Sequence, residues 1–492
     1  MTAPMQFRLL NTEVAVKTPA DWNDAARPKL LSYNLHYFDD LNAREADAHR
    51  VWHEQLIRRW MAENAAGQGI GWEAYPLSLR IVNWIQWALS GGELAEDARN
   101  SLAAQTRFLA RRMEYYLLGN HLLANAKALM FAGVFFGGTE GDGWFEEALP
   151  LFRTQLCEQI LGDGGHFERS PMYHSIVLCD VLDVVNLLRT YFARRHAHVI
   201  AELTRTAESM LDYLIALCHP DDEIALFNDS AYGIAPNTCE LRDYARRLGV
   251  EAHESSPSAV LYLAESGFCR AEAGKAVLFA DVGPIAADYA AGHGHADVLS
   301  FELSLFGRRY FVDSGVSVYG ESSERLRQKG TAAHNTVVVD GRNSSELWGG
   351  FRVARRARPF DVRVEQREDG LVISAGHDGY RRLPGNVVHR RSWTLRERSL
   401  TIVDRLEGAR VHEVAVPFHL HPECVLERTG SNEFFIRVKG RTAVRIVTDP
   451  ALDSAVVPTT YHPEFGLAIP SAKIFGLARC RVPVEFTTQI DW

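Results

Sequence analysis

The 492 residues carry a formal charge of -9 and a pI near 6.1, which excludes a nucleic-acid binder that works through a basic surface. The length exceeds one ordinary core and suggests two or three domains, and a hydrophobic fraction of 47% with 23% charged residues is that of a globular protein. No apolar run reaches membrane-spanning length, and the N-terminus "MTAPMQFRLLNTEVAVKTPADWND" has no basic start followed by an apolar stretch. The sequence as it stands therefore reads as soluble and cytoplasmic, or periplasmic if a leader has been removed. The 7 cysteines are odd in number and scattered without a CxxC pair, which suits reduced thiols. Cys157, Cys179 and Cys218 lie among apolar neighbours and read as small core residues.

From about Glu45 to about Leu248 apolar residues recur at three and four. "VWHEQLIRRWMAENAAG", "SLRIVNWIQWALSGG", "SLAAQTRFLARRMEYYLLGN", "NHLLANAKALMFAGVFFGG" and "SIVLCDVLDVVNLLRTYFARR" predict helices closed by Gly, Asn or basic residues. Helices of similar length joined by short polar turns imply stacked helical hairpins. Beyond "HESSPSAVLYLAESG" the period falls toward two. "KAVLFADVG", "VLSFELSLFGRRYFVDSG", "HNTVVVDGRN", "LVISAGHDGY", "RSWTLRERSLTIVDRLEG", "EFFIRVKGRTAVRIVTD" and "PVEFTTQI" predict antiparallel strands, with "VDGRN" and "RVKGRT" as hairpin turns. The expectation is a helical domain over residues 1–257 and an antiparallel β-sandwich over 258–492, with a cleft where they meet.

Four stretches are dense in chemical groups. "LLGNHLLANAK" holds Asn120 and His121, and "DGGHFERSPMYHS" holds His166, Glu168, Arg169, Tyr173 and His174. "AGHGHADVLS" holds His293, His295 and Asp297, and "GTAAHNTVVVDG" holds His334 and Asn335. Each has an ordinary explanation: a hydrogen-bonded core histidine, an Asn at a turn or helix cap, a buried tyrosine bonded to a carbonyl. Four together favour a shared site.

The spacing His293-x-His295-x-Asp297 fits a metallo-β-lactamase metal motif, but that motif continues with His where this chain has Val298, and its fold alternates strands with helices. A second reading takes His295 as a ligand with Asp313, ending "RRYFVDSG", and His334, opening "HNTVVVDG". Two imidazoles and a carboxylate are a set typical of zinc, here structural, with His293 left for substrate.

Taken together, "GHGHADVLSFELSLFGRRYFVDSG", "AAHNTVVVDG", "GNHLLANAKAL" and "DGGHFERSPMYH" resemble the heparinase II/III superfamily of polysaccharide lyases. "GWEAYPLSLRIVNWI", "SWTLRERSLTIVDRLEG" and "VPFHLHP" extend the likeness over nearly the whole chain. The resemblance implies an incomplete (α/α) toroid joined to an antiparallel β-sandwich. It places the family's Asn-His pair on Asn120 and His121, its helical-domain tyrosine on Tyr173 and the histidine before the zinc ligand on His293. The zinc ligands fall on His295, Asp313 and His334, and the sandwich tyrosine on Tyr319 in "SGVSVYGES", with Tyr310 a weaker match. Family members that digest imported polysaccharide carry a secretion signal, and none is visible here.

The implied activity is cleavage of an anionic uronate polysaccharide, as used by heparinases and alginate lyases, by β-elimination. Asn120 and His121 suit neutralisation of the uronate carboxylate. Tyr173 is expected as acid, aided by His293, and Tyr319 or a histidine as base, provided nearby positive charge lowers a phenol pKa. Glu168, Arg169, His174, Trp72, Trp348 and Arg352 are the expected substrate contacts. Arg325, Arg327, Lys329, Arg355, Arg356 and Arg358 read mostly as a solvated basic face, and Tyr75 as a sugar-stacking ring. The competing readings are a zinc-dependent hydrolase and a carbohydrate-binding or assembly protein of an export system without turnover. Oligomeric state leaves no mark in the sequence.

Overall fold

A computed structural model of the chain describes residues 1–253, 259–368, 370–438 and 443–492. The expected domain boundary at residue 257 and the "RVKGRT" turn lie outside the described residues. By compactness the chain divides into residues 1–159 with 180–203, and residues 160–179 with 204–492. Among the described residues no helix is long and apolar enough to cross a membrane.

The first unit is helical apart from a hairpin of Gln6–Leu9 and Thr12–Ala15. Helix Ala74–Leu89 buries Leu77, Ile81, Trp84 and Ile85, spaced at three and four as the sequence pattern requires. Helix Gly119–Phe136 is buried along most of its length from Leu122 to Gly133 and packs on helix Gly138–Gln159. Glycine meets glycine where they pack: a Cβ at Gly133 would stand 2.6 Å from the Gly141 carbonyl oxygen. The periodic stretch 101–120 does not form one helix. Helix Glu96–Ala110 stops, and the chain turns until Leu118 and Gly119, with φ of +61° and +59°, start the next helix. The break follows from Glu114, whose backbone amide donates to Asn125 Oδ1 at 2.8 Å and draws the turn inward.

Among the described residues the second unit holds three larger sheets and one two-stranded hairpin, and their strand pairings are all antiparallel. Strands Val260–Leu263, Phe268–Ala273, Ala276–Asp281, Phe301–Leu305 and Arg308–Phe311 form a five-stranded meander. An eight-stranded sheet runs in the order 359–367, 370–377, 388–396, 399–407, 484–491, 444–447, 433–437, 425–428, and a four-stranded sheet in the order 453–461, 469–481, 411–419, 338–339. Inward residues of these sheets, among them Leu303, Phe311, Trp393, Ile402, Phe418 and Ile446, share one core. The predicted strand at "HNTVVVDG" shrinks to Val338–Val339, and ahead of it Asn335 spends its side chain on backbone at the ends of neighbouring strands. Its amide donates to the Phe301 and Val312 carbonyls and its oxygen accepts from the His419 amide.

All seven cysteines are free; Cys218 is buried as expected, whereas Cys157 is exposed. It sits on the outward side of the helix Gly138–Gln159, whose neighbour Leu156 takes the buried position.

Candidate active site and metal cluster

In the second unit two long loops flank the hairpin Phe301–Leu305/Arg308–Phe311. Residues 282–300 carry His293, His295 and Asp297; residues 312–337 carry Asp313, Tyr319, the short helix Ser323–Lys329 and His334. A third segment, helix Pro171–Phe192, starts at Pro171 with Ser170 Oγ accepting the Tyr173 amide. The same hydroxyl donates to the Asp229 carbonyl at 2.6 Å, which ties the helix start to a loop not singled out by sequence.

That loop supplies the centre of the site. The Asp229 carboxylate is fully buried and accepts from His293 Nδ1 at 2.7 Å, from His295 Nε2 at 2.8 Å and from both terminal guanidinium nitrogens of Arg325. Burial works to raise its pKa, but the Arg325 charge and the two imidazoles outweigh that and hold the carboxyl well below the usual range. Neighbouring Asn228 accepts the His295 backbone amide at 2.8 Å. Asp229 thus positions the two histidines of the His-x-His motif for different tasks.

The His293 ring lies tilted against the Tyr173 ring with centroids 4.2 Å apart, and its Nε2 lies 3.9 Å from Glu168 Oε2. The Tyr173 and Tyr319 hydroxyls are 3.2 Å apart, and the Arg325 guanidinium lies over the Tyr319 ring at 4.8 Å. Burial, reinforced by the Asp229 charge, lifts the Tyr319 phenol well above its ordinary pKa despite Arg325. Phe351 closes this group, 5.7 Å from His293 and 5.3 Å from Tyr319.

His295 turns its remaining nitrogen to a second cluster. One ligand atom from each of His295, Asp297 and His334 lies within 4.8 Å of the others, all fully buried. His295 Nδ1, His334 Nε2 and both Asp297 oxygens have no hydrogen-bond partner among the described residues, an arrangement that is costly unless something fills it. The expected third ligand, Asp313, is instead bonded to His334 Nδ1 at 2.6 Å. Each histidine therefore gives one nitrogen to a carboxylate, Asp229 or Asp313, and has the other left over, which is how metal-ligating histidines are held. Burial takes His295 down to about 3 and pushes Asp297 up to about 6, whereas at His334 the Asp313 carboxylate overcomes burial and raises the pKa. The donor set fits a divalent cation.

Two expected substrate contacts face inward. His174 is buried, donates from Nε2 to the Met210 carbonyl at 2.8 Å and packs on Tyr213; burial lowers it to about 4. Arg169, with φ of +57°, spends its guanidinium on the carbonyls of Ser266, Phe167 and Glu265. Arg325 and Lys329, read from sequence as solvated, are fully buried. Lys329 Nζ donates to the Gly292 and Gly350 carbonyls at 2.7 and 3.1 Å, and burial brings it down to about 8. Gly350 turns the short hairpin Leu347–Gly349/Arg352–Val353, on which Trp348 stays 60% exposed with Arg352 stacked over it at 4.8 Å.

In the first unit, Asn120 and His121 open the helix Gly119–Phe136. His121 Nδ1 is 3.2 Å from Glu114 Oε2, and its ring stacks on Tyr75 at 4.2 Å. Asn120 Nδ2 donates to the Tyr75 hydroxyl at 3.5 Å. Tyr75 thus holds the Asn-His pair rather than standing apart as a sugar-stacking ring. Trp72 is only 6% exposed and packs between Trp60 and Phe108, as a core residue does.

The second unit combines paired tyrosines, a carboxylate-held histidine and a buried His-Asp-His cluster, and comparison with known proteins is specific. Residues 92–246 match the family model Heparinase II/III N-terminus and residues 256–492 match Heparinase II/III-like, C-terminal. The chain belongs to the heparinase II/III family. A heparin-sulfate lyase of Pedobacter heparinus is 25% identical over 373 residues, 70% of this chain but 51% of that protein, so the match spans about half of the relative's length. FtsZ-localized protein C of Caulobacter vibrioides is 25% identical over 95% of this chain and 82% of its own. Among solved structures, heparinase III superposes with a TM-score of 0.77 at 18% identity, covering 95% of this chain and 78% of that one. The fold is an N-terminal helical toroid followed by an antiparallel β-sandwich.

Proposed function

We propose that the protein is a polysaccharide lyase that cleaves an anionic, uronate-containing polysaccharide by β-elimination. The observation that carries the reading is the pair of phenol hydroxyls of Tyr173 and Tyr319, 3.2 Å apart, beside a histidine fixed through Nδ1 by a buried carboxylate. Family membership and the relatives named as heparin-sulfate lyases support it.

In β-elimination the C5 proton passes to a base, the C4–oxygen bond breaks, and the leaving oxygen takes a proton from an acid. Tyr319, held protonated by burial, suits the acid. The base role is then assigned to Tyr173, against whose ring His293 lies tilted, the reverse of the order expected from sequence. Asn120 and His121 are assigned to the uronate carboxylate, where donors stabilise the enolate-like charge that develops. Glu168 lies against His293, and Trp348 with Arg352 offers an exposed stacking surface with a cation.

For the cation we infer zinc, held by His295, Asp297 and His334, on the chemistry of two imidazoles and a carboxylate. When bound it supplies fixed positive charge that holds the two site loops together. Every proton-transfer step above belongs to side chains outside the cluster.

The test is a panel of uronate polymers followed for the conjugated double bond of the new unsaturated end, which absorbs in the near ultraviolet. Product without that absorbance would favour the hydrolase. FtsZ-localized protein C, similar over 95% of the chain and not named as a lyase, is the ground for keeping a second reading, a glycan-binding or assembly role without turnover, which predicts binding and no product across the panel.

A further inference from the structure

The first unit contains a groove of about 430 Å³ whose lining includes Gly67, Trp72, Phe108, Arg112, Glu114 and Tyr116, a volume within the range of small-ligand sites. Its charges are not equivalent. The Glu73 carboxylate at its rim is paired with Lys29 at 2.8 Å and also accepts from Tyr33. Glu114 is buried and committed to His121 and Asn125. The Arg112 guanidinium lies over the Phe108 ring at 4.9 Å and has no carboxylate or hydrogen-bond partner among the described residues. The uncommitted charge in a groove lined by two engaged carboxylates is therefore positive.

A second observation is independent of the groove's shape. The turn that follows Arg112 exposes three large side chains in succession, Tyr115 at 60%, Tyr116 at 83% and Leu117 at 52%, which packing does not account for. Tyr116 stands at the groove, and the same turn carries Glu114, which holds His121. A ring with an apolar face and an acidic substituent matches what these groups offer: an aromatic surface and a guanidinium fork pre-oriented on Phe108.

We propose that this groove is a glycan subsite in which Arg112 takes the acidic group of one sugar unit, sulfate or carboxylate, while Tyr116 covers its ring. The proposal rests on the polysaccharide reading above but not on turnover. Through Glu114 the subsite adjoins the Asn120–His121 pair, so its occupant lies along the chain from the unit whose carboxylate that pair neutralises.

The experiment uses the full chain and three heparan-type oligosaccharide probes: native, desulfated and carboxyl-reduced. Arg112→Ala, at an exposed position that leaves folding intact by circular dichroism, is expected to weaken calorimetric binding of the native probe by about tenfold. If turnover is present, KM should rise similarly with kcat nearly unchanged. The loss should vanish on whichever modified probe lacks the group Arg112 holds, and Arg112→Lys should recover part of it. Tyr116→Ala should weaken all three probes. Binding lost in Arg112→Ala by a protein that turns over no polymer would sink the lyase reading and keep the subsite. Equal affinity of Arg112→Ala and the unsubstituted protein for the native probe would overturn the subsite, as would a loss of the same size on all three probes.

Discussion

Asp229→Asn tests the centre of the second unit. The carboxylate answers four donors, and an amide of the same shape presents one accepting oxygen and one NH₂, so at least one of His293, His295 and Arg325 faces a donor instead of an acceptor. Arg325 is fully buried, and removing one partner of such a pair costs about 3–5 kcal/mol because the other charge stays buried. For a unit of this size each kcal/mol lowers the melting temperature by about 2 °C, so the transition should fall by about 6–10 °C. Differential scanning fluorimetry reads this directly. The double variant Asp229→Asn/Arg325→Met should recover part of the loss, with a coupling of about 0.5–3 kcal/mol. Turnover should fall by about 10²–10⁴-fold, the range for a misplaced acid/base group, since His293 loses the partner of its Nδ1. A variant that melts with the unsubstituted protein and shows no coupling to Arg325 would refute the view of Asp229 as the hub of the site.

Further tests address other parts of the molecule. Asp297→Asn should abolish metal content by elemental analysis, and a chelator should lower the melting temperature of the unsubstituted protein but not of this variant. Asp313→Asn should retain metal with about 10–100-fold weaker affinity; metal kept by Asp297→Asn and lost by Asp313→Asn would return the ligand role to Asp313. Tyr173→Phe should lose kcat with little change in KM on a native polymer and stay inactive on an esterified one, whereas Asn120→Ala should be less impaired on the ester, whose charge is already neutralised. Lys329 titrates near 8 when folded against 10.5 in the free side chain. The unfolded chain binds more protons between those values, so stability should rise with pH across that window by about 3 kcal/mol and fall again as pH drops through 8. Lys329→Met should flatten that rise in denaturant melts; an unchanged slope would show that the ammonium is not what titrates.

What the sequence revealed depended on how local the cause was. Helix Ala74–Leu89 and strand Val388–Arg396 were legible because their periods are set by their own buried faces. The His293-x-His295-x-Asp297 run announced itself by density. Asp229 did not, because its importance arises from residues 64 to 96 positions away, and "FNDSAYG" looks like any polar turn. Asp297 and Asp313 illustrate the same limit from the other side: both are carboxylates next to strand Phe301–Leu305 or Arg308–Phe311, and only the loop geometry decides which one faces the imidazoles and which one orients His334. Arg169 and His174 belong to a dense polar stretch that looks as if it faces substrate, but both spend their donors on buried carbonyls.

The Arg391 guanidinium, clamped by Asp404, donates to the Leu299 carbonyl at 2.8 Å and to that of Asn335. Leu299 and Asn335 lie two and one residues beyond Asp297 and His334, so a strand with no chemistry of its own braces both site loops from behind. On the ribosome this matters for order of assembly. Every side chain assigned to catalysis, the cation or the exposed Trp348–Arg352 surface has been synthesised by residue 352, yet the brace arrives only with strand Val388–Arg396. A nascent or truncated chain ending before that strand carries the full complement of reactive groups with the loops unheld. Ordering of the two site loops during synthesis thus waits on completion of the sandwich and not on the appearance of the residues they carry.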